Sequence, residues 1–227
     1  MKLPKIIIHN SITLEGSVSG FEVDMELHYL LAGGYGAGAH LVGSNTIKSG
    51  IEMFGTVIPP EEESDFTRPE NEGLPYWIIP DTRGSLRGVL HYLRRSGFCR
   101  DAILLLSETT TRAYRDYLEQ RSYDYLIAGK EHVDLRLALG MVGEKYAIDV
   151  IMVDAGPTLN GVLLANGLVD EINLIVAPYL TGTKSDSLFS KLGLINNIEL
   201  ELLHCREINK STVLVSYRVK KEFPASG

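Results

Sequence analysis

The chain has 227 residues, 44% of them hydrophobic and 22% charged, with a formal charge of −7 and an isoelectric point near 5.4. That is enough apolar material for one large domain, so wholesale disorder is excluded, and the acidic balance argues against nucleic acid or an anionic membrane surface as partner. Two distant cysteines, Cys99 and Cys205, and six scattered histidines without an HExxH or HxE…PCxxC pattern argue against a disulfide scaffold, a metal hydrolase or a zinc deaminase; no metal is expected.

A first strand is expected at residues 5–9. Its apolar run is too short for a secretory core, and no run approaches the roughly 20 residues that span a bilayer, so the expectation is a soluble, cytoplasmic chain. The strand feeds NSITLEGSVSGF, residues 10–21, a glycine- and hydroxyl-rich loop suited to lie against a flat ligand. A helix over 23–31 follows, with Asp24 and His28 one turn apart on one face. Either can position a substrate or relay a proton. The plain alternatives are an acid favoured by the helix dipole and a surface histidine.

A strand at 39–42 ends in GSNT, residues 43–46, where Gly43 permits close approach and Ser44, Asn45 and Thr46 can cap a helix or bind phosphate oxygens. Residues 55–74, with Pro59, Pro60, Glu61, Glu62 and Glu63, read as an acidic surface excursion. A strand at 76–79 then enters the polar turn of IIPDTRGSL, in which Arg83 can meet a phosphate or simply face solvent. Leu86, Val89, Leu90 and Leu93 follow helical spacing over 85–95, with Ser85 as cap and Gly97 as stop. The basic cluster Arg94, Arg95 and Arg100 reads as a solvated helix end. Strands at 102–106 and 124–127 alternate with helices at 110–119 and 133–142.

The stretch 148–182 carries the most information. An apolar, β-branched run at 148–153 ends in an Asp-Ala-Gly-Pro turn, a helix over 157–166 and a second buried strand at 171–177. Gly156 permits close approach and Pro157 suits the first helical position. Free N–H groups at a helix start, beyond the carboxyl end of a core strand, are where open α/β sheets take anionic ligands; an ordinary strand–helix turn is the alternative. Two last strands, near 199–205 and 212–219, have no helix between them and imply a hairpin. The pattern predicts one three-layer α/β domain over residues 1–227, with a mixed, mainly parallel sheet and a C-terminal antiparallel hairpin.

The segment VDAGPTLNGVLLANGLVDEINLIVAPYLTG resembles the reductase domain of riboflavin biosynthesis, whose members carry an acid, a small residue and GPTL, then LVDE and APxLxG. SITLEG, GSNT and IIPDTRG extend the likeness over most of the chain. The resemblance implies a dihydrofolate-reductase-like fold, NADPH as hydride donor and 5-amino-6-(5-phosphoribosylamino)uracil reductase-like activity on a ribosylamino-pyrimidine phosphate or a related pyrimidine or pterin. It implies that Gly156, Pro157, Thr158 and Leu159 wrap the pyrophosphate and nicotinamide side. Gly43 and Thr46 would support the phosphates, Thr82 the adenosine ribose, and the backbone around Ser11 the nicotinamide. Asp154 falls at an acidic substrate contact, with a helix cap as its other reading; Asp24 and His28 lie on the helix that lines the substrate pocket. No residue stands out as the proton donor. A homodimer is also implied, with the apolar helix at 159–164 and the strand at 172–177 as its surface.

The chain departs from the family where a D-P-x-L-T-x-R element would follow the threonine turn: here the sequence is IKSGIEMFG, with Lys48 but no arginine. Two other readings therefore stand beside the first: a dihydrofolate-type reductase, and a non-catalytic NADP-binding regulatory module.

Overall fold

Successive short apolar runs do form strands, and the helical patterns between them form helices. The computed structural model describes residues 1–53, 58–69, 71–182, 187–193, 197–209 and 211–221, without the Met53 side chain. Its elements are β1 (Lys5–Thr13), α1 (Met25–Gly33), β2 (Ala39–Val42), α2 (Ser44–Met53), β3 (Tyr76–Pro80), α3 (Leu90–Arg95), β4 (Ala102–Leu106) and α4 (Arg112–Gln120). They continue as β5 (Asp124–Ile127), α5 (Leu135–Tyr146), β6 (Val150–Asp154), α6 (Pro157–Ala165), β7 (Glu171–Ala177), β8 (Leu200–Asn209) and β9 (Thr212–Val219). The chain divides into two compact units, one of Met1–Pro4 and Ala37–Ile151, the other of Lys5–Gly36 and Met152–Gly227.

In the first unit β2, β3, β4 and β5 pair in parallel. All five residues of β4 are buried, as a strand covered on both faces must be. Leu86, Leu90, Leu104, Leu106, Tyr114 and Leu118 belong to its core. In the second unit β1 pairs parallel with β7, β7 antiparallel with β9, and β9 antiparallel with β8. The mixed, mainly parallel arrangement with its terminal hairpin is therefore as the sequence implies.

Several local readings change. The 10–21 loop starts later, because β1 runs on to Thr13 and takes Asn10 and Ser11 into the strand. GSNT opens a full helix, α2, which the sequence pattern did not single out. The 85–95 helix begins only at Leu90: Asp81 accepts the Ser85 and Leu86 N–H groups at 2.8 and 3.0 Å, which holds residues 81–86 as a turn. Gly84 belongs to that turn at φ +67°, and an added Cβ would meet the Tyr114 ring at 2.8 Å.

The largest change is in the acidic loop. Residues 54–57 and 70 lie outside the described residues, but the rest is docked on its own unit instead of solvated. Asp65, in a 3₁₀ turn at Glu63–Phe66, is buried and bonded by Arg95. Glu61 takes Arg121 at 2.8 and 2.9 Å and the Tyr117 hydroxyl at 2.8 Å. His91 Nε2 meets the Pro59 carbonyl at 2.7 Å. Arg94 is no solvated helix end: it is 7% exposed and grips the buried Asp101 through two hydrogen bonds of 2.9 Å.

Candidate active site

In the first unit, four loops follow the parallel strands β2, β3, β4 and β5 and so open on one edge of that sheet. Gly43 immediately precedes α2, and a Cβ there would touch Thr46 Oγ1 at 3.4 Å. The turn after β3 is tied by the Asp81 carboxylate, which also accepts the Tyr114 hydroxyl at 2.8 Å. Burial first, and then Asp81, holds that phenol protonated far beyond neutrality. Thr82 is half-buried on this turn and Arg83 is exposed. After β4, Ser107 and Thr109 share a hydrogen bond of 2.9 Å, and both hydroxyls reach the Glu131 carbonyl. The hydroxyl-rich SETTT run, residues 107–111, is the sequence signal for this loop.

In the second unit the Asp-Ala-Gly-Pro turn sits at the carboxyl end of β6. Gly156 is the N-cap of α6, with Pro157 in the first turn and no side chain capping the helix. The first N–H groups of a helix lack intrahelical partners. A Cβ on Gly156 would meet no atom within 4 Å, so the turn presents open space beside those donors. From below, the buried amides of Asn10 and Asn160 both donate to the Ala155 carbonyl, at 3.2 and 2.8 Å, and Asn160 also donates to the Asn10 side-chain oxygen at 3.2 Å. That clasp fixes the turn through two residues 150 positions apart. Thr158 is exposed and Leu159 half-buried at the start of α6.

A cavity of about 200 Å³ opens in the same unit, lined among others by Ser11, Phe21, Glu22, Asp24, Leu27 and Tyr179. The Phe21 and Tyr179 rings lie 6.0 Å apart, tilted by 36°, and provide apolar walls. Neither aromatic was singled out in the sequence, because nothing in a strand-and-turn pattern brings residues 21 and 179 together. Asp24 is the N-cap of α1, accepting the Leu27 N–H at 2.9 Å. It combines the cap reading with a place on the cavity wall.

His28 is not a surface histidine: it is 4% exposed. Its Nδ1 lies 3.0 Å from Ser11 Oγ. Its Nε2 faces Asp154 Oδ2 at 3.5 Å, without a hydrogen bond closing there. Asp154, the last residue of β6, does not cap α6, whose cap position is Gly156 without a side-chain bond. Below His28, His9 Nε2 bonds the His28 carbonyl at 3.1 Å and His9 Nδ1 the Tyr35 hydroxyl at 2.9 Å, with the two imidazole rings 4.4 Å apart. Ser11, Asp24, His28 and Asp154 thus converge within one unit, whereas Gly43, Thr46 and Thr82 belong to the other.

Glu15 is otherwise engaged. Its carboxylate accepts the Thr181 hydroxyl, the Thr181 N–H at 2.7 Å and the Gly182 N–H at 3.2 Å. The Thr181 bonds hold its carboxyl below the usual range. This acid ties the loop after β1 to the loop after β7.

Residues 34–214 match the family model described as the RibD C-terminal domain. Among curated proteins the chain is 45% identical over 65 residues to riboflavin biosynthesis protein RibD of Escherichia coli, a stretch covering 29% of this chain and 17% of that one. It is 32% identical over 101 residues to the 2,5-diamino-6-ribosylamino-4(3H)-pyrimidinone 5′-phosphate reductase of Methanothermobacter thermautotrophicus, covering 43% of this chain and 46% of that one. The matched stretches thus span less than half the length of either curated relative. Among solved structures, a pyrimidine reductase-like protein from Corynebacterium diphtheriae has the same fold, with a TM-score of 0.68 at 16% identity over 96% of this chain and 93% of that one.

Proposed function

The chain belongs to the RibD C-terminal domain family, and from that membership we propose that it is a nicotinamide-dependent reductase of a ribosylamino-pyrimidine phosphate in riboflavin biosynthesis. The observation that carries the reading is the cavity where Ser11 and Asp24 meet two aromatic walls, in the unit that also holds the GPTL turn. A flat amino-pyrimidine suits such walls, and its amino groups suit acceptors such as Asp24. The archaeal relative's named substrate, a diamino-pyrimidinone phosphate, has that chemistry.

The residues present fit NADPH. Gly156 leaves room for the pyrophosphate, and the α6 N-terminus supplies donors and the positive end of a helix dipole. In this reading Gly156, Pro157, Thr158 and Leu159 hold the pyrophosphate and nicotinamide side. The backbone at Ser11 meets the nicotinamide, Gly43 and Thr46 support phosphates, and Thr82 the adenosine ribose. When bound, the cofactor supplies a hydride to the substrate's C1 imine carbon. The chain's task is to orient the ring, exclude water and deliver a proton to the imine nitrogen. The family match runs across both units, which supports residues 1–227 acting as one reductase domain.

The test is NADPH binding and oxidation. Wild type binds NADPH with a dissociation constant of micromolar order or below, about 8 kcal/mol, and oxidises it in the presence of 2,5-diamino-6-ribosylamino-4(3H)-pyrimidinone 5′-phosphate. Gly156→Val places a branched side chain in the pyrophosphate's path while leaving the melting temperature unchanged, since that space is open. Identical NADPH titrations for wild type and Gly156→Val refute the cofactor assignment.

We also propose a homodimer and a cytoplasmic setting. Among the described residues no helix is long and apolar enough to cross a membrane, and both cysteines are free, Cys99 buried and Cys205 exposed.

A further inference from the structure

We propose that Ser11 and His28, with Asp154 facing the other imidazole nitrogen, form a proton relay into the cavity, in which His28 is the positioning residue that decides whether the Ser11 hydroxyl points its proton at the substrate. The proposal rests on the reductase reading for the identity of the proton acceptor, and on geometry alone for the path.

Three contacts carry it. Ser11 is both on the cavity wall and 3.0 Å from His28 Nδ1. His28 is buried, with Nε2 turned to Asp154 at 3.5 Å but not hydrogen-bonded. The Asp154 side chain keeps 24% exposure, so solvent reaches the far end. A buried nitrogen without a hydrogen bond is costly in a neutral ring.

The consequence for Ser11 follows from donor counting. With His28 neutral and its proton on Nε2, Nδ1 is an acceptor, and the Ser11 O–H turns back to it. With His28 protonated, Nδ1–H donates to Ser11 Oγ, and the Ser11 O–H is released toward the cavity. Protonation of His28 thus sets the direction of a hydroxyl that touches the substrate space. When the imine carbon gains its hydride, the C=N π bond breaks and the nitrogen takes the Ser11 proton. Ser11 Oγ takes the Nδ1 proton in the same movement, and His28 is left neutral. Water recharges it through Ser11 after the product leaves. One hydride and one proton convert the imine to the amine, and no other co-reactant is needed.

His28 sits among other titratable groups. His9, from β1, lies 4.4 Å away with its ring tilted by 50°, and has both nitrogens engaged, one of them by the His28 carbonyl. A second positive charge on His9 would be repelled by the first, and it is His28 that faces the carboxylate. Tyr29, next on α1, has its hydroxyl pushed up to about 12 by burial and by Asp154. Tyr35 is likewise pushed up to about 12, by burial and by Glu171. Both phenols stay neutral. Asp24, at the start of the helix, has one oxygen committed to the Leu27 N–H.

Two measurements on the full chain test this. In nitrogen-15 spectra of the ligand-free protein, with His28 assigned by its loss in His28→Gln, the neutral ring carries its proton on Nε2. Asp154→Asn lowers its protonated fraction at pH 7, and Ser11→Ala moves the Nδ1 signal. An Nδ1-protonated neutral ring, or a His28 signal unmoved by Asp154→Asn, overturns the path. With 2,5-diamino-6-ribosylamino-4(3H)-pyrimidinone 5′-phosphate and NADPH, wild-type kcat falls as pH rises and the relay loses its proton. His28→Gln lowers kcat by about 10²-fold, the scale of a lost proton transfer, removes that alkaline limb, and leaves KM and NADPH affinity within about twofold. Ser11→Ala removes the same limb and serves if His28→Gln folds poorly. A variant that keeps the wild-type limb overturns the proposal. If wild type leaves NADPH unoxidised, the proposed function fails, and the nitrogen-15 result alone decides the path.

Discussion

At the scale of single residues, Arg94 shows how far a charged side chain can be turned inward by its partners. Its guanidinium lies 3.7 Å from the Tyr123 ring centroid and grips Asp101. It also donates to the carbonyls of Asp65 at 2.6 Å, Arg121 at 2.7 Å and Ser122 at 3.1 Å. Only a planar fork reaches all of these at once. Arg94→Met should cost about 3–5 kcal/mol, because it leaves the Asp101 carboxylate and three carbonyls without the cation that satisfies them. Arg94→Lys should restore less than half of that. Urea unfolding of the two variants checks it; a lysine variant as stable as wild type refutes the fork argument. In sequence, Arg94 is one member of an Arg-Arg pair on a short helix, and nothing in that pattern marks which arginine turns inward.

At the scale of elements, the 58–68 segment behaves as a strap closed by carboxylates. The Arg95 hydrogen bond holds the Asp65 carboxyl below its usual 3.8. Burial pushes Glu61 up, but the Arg121 and Tyr117 hydrogen bonds outweigh it and leave it below its usual 4.5. Both groups are depressed in the folded chain. Their contribution is therefore complete above the unfolded values and is lost as pH falls through the folded ones. The urea midpoint should drop as pH falls below about 4.5, and Glu61→Gln with Asp65→Asn should flatten that drop while lowering the midpoint at pH 7. An unchanged slope in the double variant would leave the strap without an electrostatic role. Proline and glutamate content made this segment look solvated, since composition does not reveal the arginines that await it on α3 and just after α4.

At the scale of the whole molecule, the proposed homodimer needs a surface that strand pairing leaves open. The sequence pointed to helix 159–164 and strand 172–177, but β7 is paired on both sides, by β1 and β9, and offers no free edge. Among the described strands of that unit, β8 pairs on one side only, with β9. Leu202 on it is 55% exposed and Leu200 39%. An unpaired edge that carries two exposed leucines offers a surface for a second chain. Light scattering at micromolar concentration should give twice the 25.1 kDa chain mass. Leu202→Lys should shift that mass toward the monomer, since a stable pair buries over ~1,200 Å². A mass of one chain for the wild type refutes the dimer.

The order and type of the strands were legible in the sequence because short runs rich in apolar residues repeat a local rule: a buried strand needs a short run of mainly apolar side chains, and glycine, proline or polar residues beside it mark the turn. β2, β4, β5, β7 and β9 fall on the residues that this rule selects. The GPTL turn was legible for the same reason, since a glycine cap and a proline at the first helical position are properties of neighbours. What tertiary structure alone decided is pairing at a distance. It joined His28 to Ser11 and Asp154, Asn10 to Asn160, Glu15 to Thr181 and Phe21 to Tyr179. Each pair combines residues whose local pattern is ordinary. Their chemistry arises from burial and from the lost access to water that makes a hydroxyl, an imidazole or a carboxylate depend on its partner.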